Sequence, residues 1–161
     1  MLDQNVKDQL KTLFAGLKSD IAFRLYATAG DTEMRTFLDE VASTSSRLAV
    51  EHSATPADAP TFGIIRDGAD TGVRFCGIPN GHEFSTLLLA VLNADGQGKN
   101  LPDDILAQRI KSIKGPVKLQ TFVSLTCTNC PDVAQAPNVV ALLNPLVENT
   151  VTDGGVVPEL V

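Results

Sequence analysis

Cys127-Thr128-Asn129-Cys130-Pro131-Asp132-Val133 stands where a strand-like run, Val117 to Leu125, gives way to a helical pattern that lasts to Leu143. A C-x-x-C at such a handover has a defined geometry. Residues three apart in a first helical turn are neighbours, close enough for the short Cα separation of a disulfide. The unpaired N–H groups and positive dipole end of the helix stabilise a thiolate at the first cysteine. Cys127 is therefore the expected attacking thiol, Cys130 the resolving one, and Pro131 fits the first turn, where its missing N–H costs little. Two rival readings stand beside this one: half of a zinc site, or two inert core cysteines. Zinc needs two further ligands, and the soft candidates Cys76, His52 and His82 form neither a second C-x-x-C nor a His pair.

Outward from the motif, Val147 to Thr152 reads as another strand, so residues 117–152 form a β-α-β unit. Upstream, Leu2, Val6, Leu10, Leu13, Phe14 and Leu17 mark one face of an opening helix with Asp3 as its N-cap. Ile21 to Tyr26 alternates as a strand, Thr28-Ala29-Gly30-Asp31 breaks it and is placed to cap a helix marked by Met34, Phe37, Leu38 and Val41, and a strand runs from Leu48 to Glu51. After a Pro- and Ala-rich loop from Ser53 to Pro60, Thr61 to Ile65 turns through Arg66-Asp67-Gly68 into Val73 to Cys76 as a hairpin. Asn80-Gly81-His82-Glu83 opens a helix carrying Phe84, Leu87, Leu88, Val91 and Leu92.

The order helix, β-α-β, β-β-α is the core of a thioredoxin-like fold. The expected class is α/β, thioredoxin-like and tandem, with the first copy complete and the second partial. Residues 1–100 form the first copy, without a redox centre because Ala27-Thr28-Ala29-Gly30 holds no cysteine. Residues 101–114 form a connecting helix, stopped by Gly115-Pro116, and residues 115–161 a partial copy carrying the C-x-x-C. The second hairpin and final helix that would close that copy are missing, so the sequence is expected to be a fragment or truncated product.

Composition narrows the function. With 43% hydrophobic residues in 161, the chain can bury a core, and its net charge of -6 repels phosphate backbones and anionic headgroups. Neither nucleic acid nor a membrane is an expected partner. The longest apolar run, Leu87 to Leu92, falls far short of the about 20 residues of a bilayer span, and residues 1–8 lack the apolar stretch of a secretory signal. A cytoplasmic location is expected, where a close cysteine pair points to redox chemistry or metal rather than a structural framework. Cys76, alone in an apolar strand pattern, reads as core. His52 reads as a strand-end residue and His82 as a turn or cap residue. Pro60 precedes a strand where thioredoxin folds carry a cis-proline, which leaves a cis bond and an ordinary loop proline as even alternatives. Glu83, in a first helical turn, is placed to complement the dipole.

Met1-Leu2-Asp3, Gly81-His82-Glu83-Phe84, Cys127-Thr128-Asn129-Cys130-Pro131-Asp132-Val133 with Asn138 beyond it, and Asp153-Gly154-Gly155 occur together and in order. In these the chain resembles the N-terminal domain of the flavoprotein subunit of bacterial alkyl hydroperoxide reductase. The resemblance implies a thiol-disulfide oxidoreductase: a dithiol that takes electrons from a flavin-bearing pyridine nucleotide-disulfide reductase module and hands them to a peroxiredoxin. It implies Cys127 as nucleophile, Cys130 as its partner, and Glu83 as an acidic residue beside them that tunes proton transfer. No G-x-G-x-x-G follows a strand, so FAD and NAD(P)H are expected on a C-terminal module or a separate reductase, and this chain is expected to bind no cofactor beyond its redox-active disulfide. Thr128 stands where the family carries His, and Pro137 replaces an aliphatic residue and should kink its helix. The alternative reading is a non-catalytic docking module whose partial second fold no longer positions the dithiol.

Overall fold

The alternating and helical periodicities fold into one six-stranded sheet in the order β2-β1-β3-β4-β6-β5. The structure is a computed structural model that describes residues 2–160; Met1 and Val161, the ends of stretches quoted above, lie outside the described residues. Helix α1 (Gln4–Phe14) begins at Asp3, whose carboxylate accepts the Val6 N–H at 2.8 Å, and buries Leu10 and Phe14. Then come β1 (Ile21–Ala27), α2 (Thr32–Ala42), β2 (Leu48–Pro56), β3 (Thr61–Arg66) and β4 (Ala69–Cys76). A 3-10 turn, Gly81–Glu83, leads into α3 (Phe84–Ala94), followed by α4 (Asp104–Lys111), β5 (Val117–Val123), α5 (Cys130–Leu143) and β6 (Val147–Asp153).

Strand β1 runs parallel to β2 on one side and antiparallel to β3 on the other, and β3 and β4 form the hairpin. Asp67 and Gly68 both take positive φ, 48° and 81°. Two central residues of that sign make the turn whose twist matches the strands it joins, which is why Asp-Gly suits the position. Strand β5 lies parallel to β6, and β6 lies parallel to β4, which joins the two halves of the chain in a single sheet. The core beneath includes Phe14, Phe23, Leu38, Phe62, Phe75 and Leu87, with Phe62 stacked on Phe75 at 5.2 Å between ring centroids.

Several sequence expectations are corrected. Strand β2 continues through Pro56, into the segment read as loop, because a bulge after Tyr26 carries the ladder on to an Ala27–Pro56 pair. As an edge strand it tolerates a proline without an N–H. Strand β4 starts four residues earlier than read, at Ala69, since the tight turn lets Arg66 pair with Ala69 at once. No peptide bond among the described residues is cis, so Ala59–Pro60 is trans, the ordinary preference of an X-Pro bond, with the Pro60 carbonyl accepting the Gly77 N–H at 2.9 Å. Asp31 sits at the N-cap of α2 but makes no side-chain cap bond. Pro137, expected to kink its helix, does lie inside α5, which runs on to Leu143, and its missing N–H removes one bond of the ladder.

Candidate functional site

Strand β5 ends at Val123, and the next residues turn so that the Cys127 N–H donates to the Ser124 carbonyl at 2.9 Å. Cys130 is the first residue of α5, with Pro131 directly after it. The turn brings the two cysteines to a Cα separation of 5.5 Å, and they are joined as a disulfide, in the usual range for such a bond. Asn129 occupies the N-cap position but its side chain accepts no first-turn N–H, so the positive dipole end of α5 faces the cysteine turn without a side-chain cap.

Beside the disulfide lies a cavity of about 180 Å³, lined by Thr121, Phe122, Val123, Cys127, Asn129, Cys130 and Val133. Its rim is apolar and accessible: Val133 is 64% and Phe122 40% exposed. An apolar, accessible opening beside the disulfide presents the half-exposed sulfurs to an approaching apolar segment.

Glu83 ends the 3-10 turn before α3 and is only 1% exposed, with neither carboxylate oxygen hydrogen-bonded. Burial pushes its carboxyl up from the usual carboxylate range; the Thr86 hydroxyl and the His82 charge pull weakly the other way. The Thr86 hydroxyl lies near the carboxyl but outside hydrogen-bond geometry, and both remain unpaired. Glu83 does not line the cavity at the disulfide. It borders a small void with Cys76, Val123, Leu125 and Asp153, behind the run that leads from β5 to Cys127. The turn is tied to that run by the His82 N–H, which donates to the Leu125 carbonyl at 3.1 Å. Gly81, with φ of 57°, sits so close that a Cβ would stand 2.5 Å from the same carbonyl oxygen; only glycine fits there.

Cys76 is buried and unpaired, and burial pushes its thiol up, with the Thr61 hydroxyl tempering the effect. His52 and His82 are exposed. Among the described residues, no three His, Cys, Asp or Glu side chains converge as a metal site requires, and no helix is long and apolar enough to cross a membrane. The sequence reading passed over two residues of this neighbourhood, Thr121 and Asn149. The signal for Asn149 lies in the alternation of β6, where an amide takes an inward position between Val147 and Val151.

No family model matches the chain. A solved structure, the NTD_N/C domain of alkylhydroperoxide reductase AhpF from Enterococcus faecalis, matches it with a TM-score of 0.87 at 31% identity, over 99% of this chain and 84% of that one. The AhpF protein of Staphylococcus epidermidis is 37% identical over 161 residues, covering 99% of this chain and 31% of that protein. The chain belongs to the family of the AhpF N-terminal domain. A Bacillus subtilis protein named NADH dehydrogenase is 41% identical over 156 residues, covering 96% of this chain and 30% of its own length. The chain thus spans about 30% of the length of the curated relatives it matches. As an AhpF N-terminal domain it has a thioredoxin-like fold and carries the disulfide at the start of α5.

Proposed function

We propose that this chain is the electron-transfer arm of a peroxide-reducing system, passing electron pairs through Cys127 and Cys130 from a flavin-bearing reductase module to a peroxiredoxin. The observation that carries this reading is the disulfide at the N-terminus of α5 beside an apolar, accessible cavity. In the reduced state the Cys127 thiolate attacks one sulfur of the partner's disulfide. That S–S bond breaks, and a mixed disulfide forms while the partner's other sulfur leaves as a thiolate and takes up a proton. Cys130 then attacks the Cys127 sulfur, the mixed bond breaks, and the partner's second sulfur leaves as a thiol. Two electrons and two protons have moved to the partner, and the intramolecular disulfide stands again.

Glu83, whose carboxyl burial pushes up from the usual carboxylate range, is a proton-holding group behind the loop that carries Cys127. The strand-to-helix turns β1–α2, β4–α3 and β5–α5 have no glycine-rich phosphate cradle, and the disulfide occupies the last of them. The residues present do not fit a dinucleotide, so FAD and NAD(P)H belong to another module of the system.

The test is a redox titration of the chain in defined dithiothreitol buffers, with free thiols counted by mass after alkylation. A reversible two-thiol step at Cys127 and Cys130 is expected, and a Cys130→Ser variant should trap a mixed disulfide with a peroxiredoxin. Three thiols that never pair, or a Cys127→Ser variant that reduces the peroxiredoxin disulfide as fast as the parent, would remove the reading and leave a docking module.

A further inference from the structure

The helix that opens with Cys130 turns a stripe toward the sheet, Pro131, Ala134, Asn138 and Ala141. Strand β6 meets it with Val147, Asn149 and Val151. Two amides therefore face each other where helix-on-sheet packing calls for apolar side chains; Asn149 is 0% and Asn138 2% exposed. The Asn149 Nδ2 donates to the Asn138 Oδ1 at 2.8 Å, and the Asn149 Oδ1 accepts from the Thr121 hydroxyl at 3.0 Å. The chain of bonds ends at the cavity beside the disulfide, which Thr121 lines with both cysteines. The Asn138 Nδ2 has no partner, so the position carries a desolvation penalty that a leucine would avoid.

Thr121 lies on β5, the strand whose end leads to Cys127, and Asn138 lies on α5, which begins with Cys130. The hydrogen-bonded chain thus links α5, which begins with Cys130, to β5, the strand that leads into the Cys127 turn. It crosses just after Pro137, which lacks the N–H that would bond the Val133 carbonyl and so interrupts the helix's own ladder. When the disulfide opens, the two thiols stay joined only through the short backbone Cys127-Thr128-Asn129-Cys130, and their separation then depends on how firmly α5 is held against β5 and β6.

We propose that Thr121, Asn149 and Asn138 are positioning residues for the dithiol, holding α5 against β5 and β6 in the reduced state so that the two thiols stay at ring-closing distance. This rests on the redox reading above. Ring closure transfers two electrons and two protons to an oxidant such as oxidised dithiothreitol, which becomes the dithiol, and its equilibrium rises with the effective concentration of one thiol at the other. Loosening the chain lowers that concentration and favours the dithiol.

The test titrates the full chain in dithiothreitol buffers as parent, Thr121→Val, Thr121→Ser and Asn138→Leu. Thr121→Val keeps the shape and deletes the hydroxyl; Thr121→Ser keeps the hydroxyl. Thr121→Val and Asn138→Leu are expected to lower the ring-closing equilibrium about tenfold, a potential about 30 mV less negative, with Thr121→Ser within about twofold of the parent. A normal parent beside a Thr121→Val variant within twofold of it, or a Thr121→Ser shift as large as that of Thr121→Val, overturns the positioning role alone. A parent with no reversible two-thiol step overturns the redox reading and this inference with it.

Discussion

Replacing Glu83 with glutamine removes the charge and keeps the shape. The parent carboxyl is 1% exposed with both oxygens unpaired, and burial raises its pKa. In the unfolded chain a glutamate ionises near pH 4.3, so between that value and the raised folded value the folded state holds the extra proton. Stability then falls as pH rises through this window and levels off above it, where ionising the buried group works against folding. Glutamine has no such loss. The two proteins should follow the same pH trend below about pH 4 and diverge above it, with Glu83→Gln the more stable at neutral pH. An unsatisfied buried polar group costs about 1–3 kcal/mol, and a charged one more. The plateau should therefore be at least about 1 kcal/mol, which in a chain of this size is roughly 2–4 °C in Tm. Thermal unfolding followed by circular dichroism from pH 4 to pH 8 measures it. Parallel curves across the range, or a parent that gains on the variant above pH 5, would refute the argument, the latter by showing a carboxylate held ionised by a partner.

Gly81→Ala should destabilise the chain by about 2 kcal/mol or more, because φ is 57° there and the new Cβ meets the Leu125 carbonyl oxygen. It should also slow thiol exchange at Cys127; unchanged Tm and exchange rate would show that the turn yields without strain. Asp95→Ala should cost about 2 kcal/mol at pH 7, read by urea unfolding. Burial alone would raise the Asp95 carboxyl, but bonds from the Ser19 and Lys18 amides and the Gln97 side chain outweigh it and lower the pKa. That stability is present above the unfolded value, near 3.9, and is lost as pH falls, so the gap between parent and variant should close below about pH 4; a gap that persists in acid would count against the assignment.

Much of the fold was legible because its causes are local. The apolar spacing of α1 with Asp3 before it, the Asp67-Gly68 turn between two alternating runs and the C-x-x-C at a helix start each depend on sterics and hydrogen bonds within a few residues. The ends of β2 and β4 were misplaced because a ladder continues as far as its neighbour lets it, and the neighbour of β2 is β1, some 27 residues earlier (Ile21 against Leu48). Glu83 could be named from sequence, but its isolation could not, since the groups that bury it come from β5, β6 and the loop after β4.

By itself the sequence determined which segments are strands and helices, that Cys127 and Cys130 can close a ring, and that the charge disfavours polyanionic partners. Only the tertiary structure decided that β6 docks parallel to β4 and welds the halves into one sheet. It alone buried Glu83 behind the Cys127 loop and made Asn138, Asn149 and Thr121 a chain linking α5, β6 and β5. The reason is physical. Local preferences are set by neighbours along the backbone, whereas burial and amide pairing depend on which distant surfaces exclude water together.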